Sequence, residues 1–144
     1  MKRVYPMFIK QDGDDFLVYV PDLQIYTEGS SFFDAINMAR DAIGIKGIII
    51  EDGGNDLPEA SDEATALAMA KEDADEDFDF STGTLTYVDV DFLEYRKKHD
   101  KRSVRKNVSI PYWMSVEAEK ENINCSRVLQ NALEKIFSAG SQQA

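Results

Sequence analysis

The stretch Arg105-Lys106-Asn107-Val108-Ser109-Ile110-Pro111 ends in alternating polar and apolar side chains and stops at a proline. Alternation is what a strand with one buried face shows, and a proline cannot extend a ladder. Residues 105–110 are therefore read as a short strand. Tyr112 to Glu121 follows as a short helix. Ile123-Asn124 forms a tight junction with Asn124 as N-cap, and Cys125 to about Ser138 forms a second helix. Val128, Leu129, Ala132, Leu133, Ile136 and Phe137 recur along it at spacings of three and four, which marks one apolar face.

A single strand followed by two helices cannot satisfy its own backbone groups or bury its apolar side. Two copies solve both problems by pairing their strands antiparallel and interlocking four helices, the arrangement of a ribbon-helix-helix unit. Such a two-stranded ribbon fits the major groove of B-DNA. Alternation turns Val108 and Ile110 into the dimer core, with Val128, Leu129, Leu133 and Ile136 of the second helix. Arg105, Asn107 and Ser109 then face outward to read base edges, since Arg pairs well with guanine and Asn with adenine. Lys106 breaks the alternation and, at the ribbon's end, is assigned to a phosphate. The start of the second helix presents free N–H groups, which makes Asn124, Ser126 and Arg127 a further phosphate site. A helix-turn-helix would fit the two helices, but it needs a third where the strand ends at Pro111.

The net charge of −11, taken alone, speaks against nucleic acid, but its distribution points the other way. Residues 1–94 carry 6 Lys+Arg against 22 Asp+Glu, whereas residues 95–144 carry 10 against 5. Seven basic residues fall between Arg96 and Lys106, with Asp100 the one acid among them. Such asymmetry indicates two modules with different partners. The chain is accordingly divided into an acidic domain over 1–94, a basic linker over 95–103, part-helical from Tyr95 to Arg102, and a DNA-binding and dimerisation domain over 104–144.

Within the acidic part, Val4 to Lys10 reads as a strand that Pro6 places at an edge or a start. Asp12-Gly13-Asp14 is a hairpin signal, Phe16 to Val20 a second strand and Gln24 to Thr27 a third. Ser30 or Ser31 caps a helix to about Ile50, with Ala35, Ile36, Ala39 and Ile43 on one face, and Gly53-Gly54 stops it. Asp62 caps a short helix to about Ala74, and Thr84 to Phe92 is a strand. The order β-β-β-α-(α)-β gives an α+β domain, a meander with one helix on its face.

Chemistry finds little purchase. Asp89 and Asp91 share one strand face, as a two-metal nuclease would need with Asp12, Asp14 or Asp22. Alternating polar residues are also what the solvated face of any half-buried strand shows, and that reading is preferred. His99 lies in the basic connector as a surface residue. Cys125, the one cysteine, can make no internal disulfide and is expected to pack near the start of the last helix. Asp73-Ala74-Asp75-Glu76-Asp77 begins like a calcium loop, but Phe78 stands where the turn glycine belongs. No catalytic residue, metal or cofactor is assigned, and the chain is not read as an enzyme. No apolar run approaches the roughly 20 residues that cross a bilayer, and no signal-peptide core is visible, so residence in the cytoplasm is expected.

Asn107-Val-Ser-Ile-Pro-Tyr-Trp-Met114 and Asn122-Ile-Asn-Cys-Ser-Arg-Val-Leu-Gln-Asn-Ala-Leu133 together resemble the ribbon-helix-helix tail of HicB-type antitoxins. Tyr5-Pro6, the Asp12-Gly13 hairpin, Val20-Pro-Asp-Leu23, the Glu28-Gly29 turn and Phe33-Asp-Ala35 are similar to the front domain of the same family. Glu117 departs from the pattern where a core-facing residue is expected, with Val116 beside it. The resemblance implies a type II toxin–antitoxin pair. Its front domain would have a partial RNase H-like fold and bind a small HicA-type ribonuclease toxin. Its tail would bind operator double-stranded DNA and repress the operon that encodes both proteins, as a homodimer of the kind that in relatives often forms tetramers. Two other readings stand beside it: a ribbon-helix-helix regulator whose front domain senses a small molecule, and a metal-dependent nuclease.

Overall fold

This computed structural model of the chain describes residues 1–141, which fall into a compact unit Met1–Lys101 and a second unit that begins at Arg102. In the first, the strands β1 (Lys2–Asp12), β2 (Asp15–Val20), β3 (Ile25–Gly29) and β4 (Thr84–Asp91) form an antiparallel sheet in the order β3-β2-β1-β4. Gly13 takes φ 62° in the two-residue turn between Asp12 and Asp15, a left-handed conformation that glycine adopts without steric cost. β1 is central rather than an edge strand, contrary to what Pro6 suggests. Pro6 is tolerated because it pairs only with Tyr87 of β4, while the ladder to β2 begins at Phe8.

The helix α1 (Phe32–Asp52) starts at Ser31, whose side chain accepts a hydrogen bond from Asp34 N at 3.0 Å. Its Ala35, Ala39 and Ile43 pack on the sheet face that carries Tyr5, Met7, Ile9, Val18, Val20, Val88 and Val90. The expected single covering helix is half of the arrangement. The helix α2 (Glu63–Glu72), capped by Asp62, lays Ala66 and Ala70 on the opposite face over Phe8 and Tyr19. Alanines let its backbone approach those rings closely, which is why Tyr5 to Ile9 is buried on every residue instead of alternately.

The helix α3 (Phe92–His99) occupies most of the segment read as a linker. Asp91 caps it by accepting from Glu94 N at 3.2 Å, and Phe92 is buried. Gly44 and Gly47 open a trough on α1 for the rings of Tyr95 and Phe92, where added Cβ atoms would collide with them. Tyr95 donates its hydroxyl to Asp41 at 2.8 Å, and Arg96 reaches Asp52 at 3.0 Å and Glu51 at 3.7 Å. These contacts move the division between the units from residue 94 to residue 101. The second unit contains α4 (Tyr112–Lys120) and α5 (Cys125–Ser141).

Candidate nucleic-acid interface

Every residue that the sequence assigned to DNA lies in the second unit. Arg105, Lys106, Asn107 and Ser109 are exposed on a segment, residues 100–111, that belongs to no strand. The expected strand over 105–110 is therefore not formed within one chain. The physical reason is direct: its ladder needs a second strand, and this unit has none to offer. Pro111, with φ −54° and ψ 143°, turns the segment into α4 without a side-chain cap.

The junction between α4 and α5 is built by two asparagines. Asn122 takes φ 54° and ends α4 in a Schellman arrangement. Its N–H donates to Glu119 O at 3.1 Å, and Ile123 N donates to Ala118 O at 2.9 Å. Asn124 then caps α5, its Oδ1 accepting from Arg127 N at 3.1 Å and its carbonyl from Val128 N at 3.1 Å. Sequence reading identified Asn124 and missed Asn122. The signal was available, since Asn is the residue besides glycine that tolerates the left-handed region. Asn124, Ser126 and Arg127 are brought together at one exposed helix start, which can present donors to an anion.

The residues assigned to a dimer core are not covered within the chain. Val108, Ile110, Val128, Leu133 and Ile136 are exposed, and Leu129 is half-buried. Cys125, expected to pack, is also exposed. Part of the basic cluster is engaged in ion pairs of the first unit. Arg96 is held by Glu51, Asp52 and Asp100, and Lys97 pairs with Glu94 at 3.0 Å. Both cations lie in the first unit.

The acidic residues weighed as a nuclease centre are separated by their bonds. Asp89 pairs with Arg40 at 3.0 Å, and that hydrogen bond holds its carboxyl below the usual carboxylate range. Asp91 caps α3, and Asp22 accepts from Ser61 N at 3.0 Å. Among the described residues, no group of three His, Cys, Asp or Glu side chains could hold a metal ion. His99 stacks on Tyr95 with centroids 4.2 Å apart. No helix among the described residues is long and apolar enough to cross a membrane.

The chain thus joins an acidic α+β unit to a two-helix unit with exposed cations and exposed apolar side chains. Residues 5–132 match a family described as the HicB-like antitoxin of bacterial toxin-antitoxin systems, and the chain belongs to that family. It is an antitoxin family and not a family of enzymes. A structure described as a toxin-antitoxin complex from Streptococcus pneumoniae is similar over 94% of this chain and 99% of its own, at 25% identity and a TM-score of 0.57. A crystal structure of the Burkholderia pseudomallei antitoxin HicB is similar over 95% of this chain and 98% of its own, at 23% identity and a TM-score of 0.47. No curated protein matches the chain.

Proposed function

We propose that the chain neutralises a small, basic ribonuclease toxin through residues 1–101 and represses its own operon through a ribbon-helix-helix dimer formed by the second unit. In the dimer, two copies of Arg105–Ile110 pair as the ribbon, with Arg105, Asn107 and Ser109 on the DNA side. Lys106, Asn124, Ser126 and Arg127 hold phosphates. Val108, Ile110, Val128, Leu129, Leu133 and Ile136 close the core. The observation that carries this reading is the uncovered apolar face of α5 beside a polar–apolar segment that has no ladder partner in its own chain. One second copy satisfies both needs at once. Membership of an antitoxin family, and the likeness to a structure that contains a toxin, support the toxin as partner of the acidic unit.

The test has two arms. Fluorescence anisotropy with the DNA upstream of the gene should give specific binding that weakens steeply with salt, by a complex whose mass in light scattering is at least two chains. Co-expression with the small protein encoded beside this one should give a stable complex and abolish that protein's toxicity. A monomer without operator affinity would refute the DNA arm, and failure to form the complex would refute the toxin arm.

A further inference from the structure

The sheet face opposite α1 carries aromatic rings at its β2–β3 side. Tyr19 and Tyr26 are cross-strand partners whose rings stack at 4.9 Å. Phe80 lies 5.4 Å from Tyr19 and 6.1 Å from Tyr26, and Phe78 meets Phe80 edge-on at 4.7 Å. Tyr19 is fully buried and donates its hydroxyl to Asp73, whereas Tyr26, on the edge strand, is 59% exposed. This face of rings is bordered by acids. Residues 72–79 hold six carboxylates in eight positions, and Glu28 shares the Tyr26 side of β3.

Some of that charge is engaged locally. Asp75 Oδ1 accepts from Asp77 N and Phe78 N at 2.9 and 2.7 Å, and Asp79 Oδ1 accepts from Ser81 N at 2.9 Å. Glu28, Glu72, Glu76 and Asp77 have no side-chain partner among the described residues. The fold also seats a cation of its own on this surface. Lys10 Nζ stands 4.8 Å from the centroid of Phe78 and donates to Asp79 O at 2.9 Å and Thr82 Oγ1 at 2.7 Å. Ring face, backbone carbonyl and hydroxyl together thus already hold one ammonium.

We infer that this surface, centred on Tyr26 and rimmed by Glu28, Glu76 and Asp77, is where the first unit docks a cationic protein face, and that its occupant is the basic toxin. The identity of the occupant rests on the function proposed above; the location and chemistry rest on the rings and charges. Uncompensated carboxylates repel nucleic acid and anionic lipid, and they steer a basic protein in by complementary charge. An exposed tyrosine already packed along one side gives an arginine or lysine a rigid ring to lie against, the kind of anchor that dominates interface energetics.

The experiment uses the full chain and the small protein encoded beside it, with affinity measured by calorimetry over a salt series. Tyr26→Ala should weaken binding about tenfold or more, as loss of a central aromatic anchor does. Glu76→Lys combined with Asp77→Lys should weaken it at least as much and flatten its salt dependence. The second variant changes solvated side chains only, so it tests the surface even if Tyr26→Ala loosens β3. Operator binding by both variants should be unchanged. If wild type binds and both variants bind equally well, the surface assignment is wrong and the toxin reading stands. If wild type does not bind at all, the toxin reading fails and takes this inference with it.

Discussion

Replacing Gly47 by alanine sets two effects of opposite sign against each other. In the interior of α1, alanine is favoured over glycine by about 1 kcal/mol of helix propensity. A Cβ at this position, however, would lie 2.7 Å from Phe92 Cδ1 and 3.3 Å from Leu57 Cδ2. Phe92 Cε1 would lie closer still, and carbon atoms pack best at about 3.5–4.0 Å, so the ring would have to retreat by about an ångström or more. It has little room to do so. Phe92 and Leu57 are 4% and 7% exposed, and Phe92 opens a helix whose next turn places Tyr95 over Gly44. Overpacking of this kind costs about 1–3 kcal/mol, which outweighs the propensity gain. Subtracting the propensity gain leaves a net loss of up to about 2 kcal/mol, and in a domain of about 100 residues each kcal/mol lowers Tm by about 4–8 °C.

Thermal unfolding of the full chain, followed by circular dichroism, measures the loss. A double-mutant cycle with Phe92→Leu should show that the smaller side chain relieves part of the penalty. Gly140→Ala is the control, because a Cβ there meets nothing within 4 Å and propensity acts alone. A Gly47→Ala protein with a raised Tm would refute the reasoning. It would mean that the ring moves freely and that close approach does not hold α3 on α1.

At the α4–α5 junction, Asn122→Ala should destabilise the second unit by about 1 kcal/mol, because alanine shares the Cβ strain of φ 54° without the local polar interactions by which asparagine tolerates it, while Asn122→Gly should be neutral. Chemical denaturation checks both. Arg105→Ala or Asn107→Ala should each cost about 1–3 kcal/mol of operator binding and relax preference at one base position, measured by anisotropy on single-substituted operators. Arg96→Ala should lower the stability of the first unit by about 1 kcal/mol or less, the range for part-exposed ion pairs, and leave the salt dependence of operator binding unchanged. Burial and the hydrogen bond to Asp41 push the Tyr95 hydroxyl from 10.0 up to about 12. Its contribution is therefore complete below pH 10 and lost as pH rises towards about 12, so Tyr95→Phe should flatten that part of the stability profile.

The strands of the first unit and the helix starts were legible because each rests on local chemistry. Ser31, Asp62 and Asn124 are side-chain caps, and Gly13 marks a two-residue turn. What was not legible depends on distant partners. Pro6 reads as an edge residue until β2 is seen to end before it pairs. The basic residues from Arg96 onward read as a linker because sequence does not show that Glu51 and Asp52 wait at the end of α1. The second helical layer was also hidden, since Ala66 and Ala70 make a weak apolar signal although they cover Phe8 and Tyr19 completely. For the residues assigned to DNA, sequence supplies the alternation, and residues 105–110 form no strand within one chain.

In the proposed dimer, the exposure pattern of the second unit would tie its stability to association. Val108, Ile110, Val128, Leu133, Ile136 and Phe137 are between 38% and 64% exposed in a single chain. A unit of about 40 residues that leaves such side chains wet lies near the size below which a lone core rarely holds. Full burial of one of them is worth about 1.5–3 kcal/mol, so completing the burial that one chain leaves half done contributes about 1 kcal/mol each. Lost translational and rotational freedom costs several kcal/mol on association, so the proposed dimer needs nearly all of these positions together. Folding and pairing of this unit then become one concentration-dependent event. The first unit, with cores on both faces of its sheet, has no such requirement. Dilution should therefore abolish operator binding before it touches the toxin-binding half, and a single polar substitution such as Leu133→Asp should do the same at any working concentration.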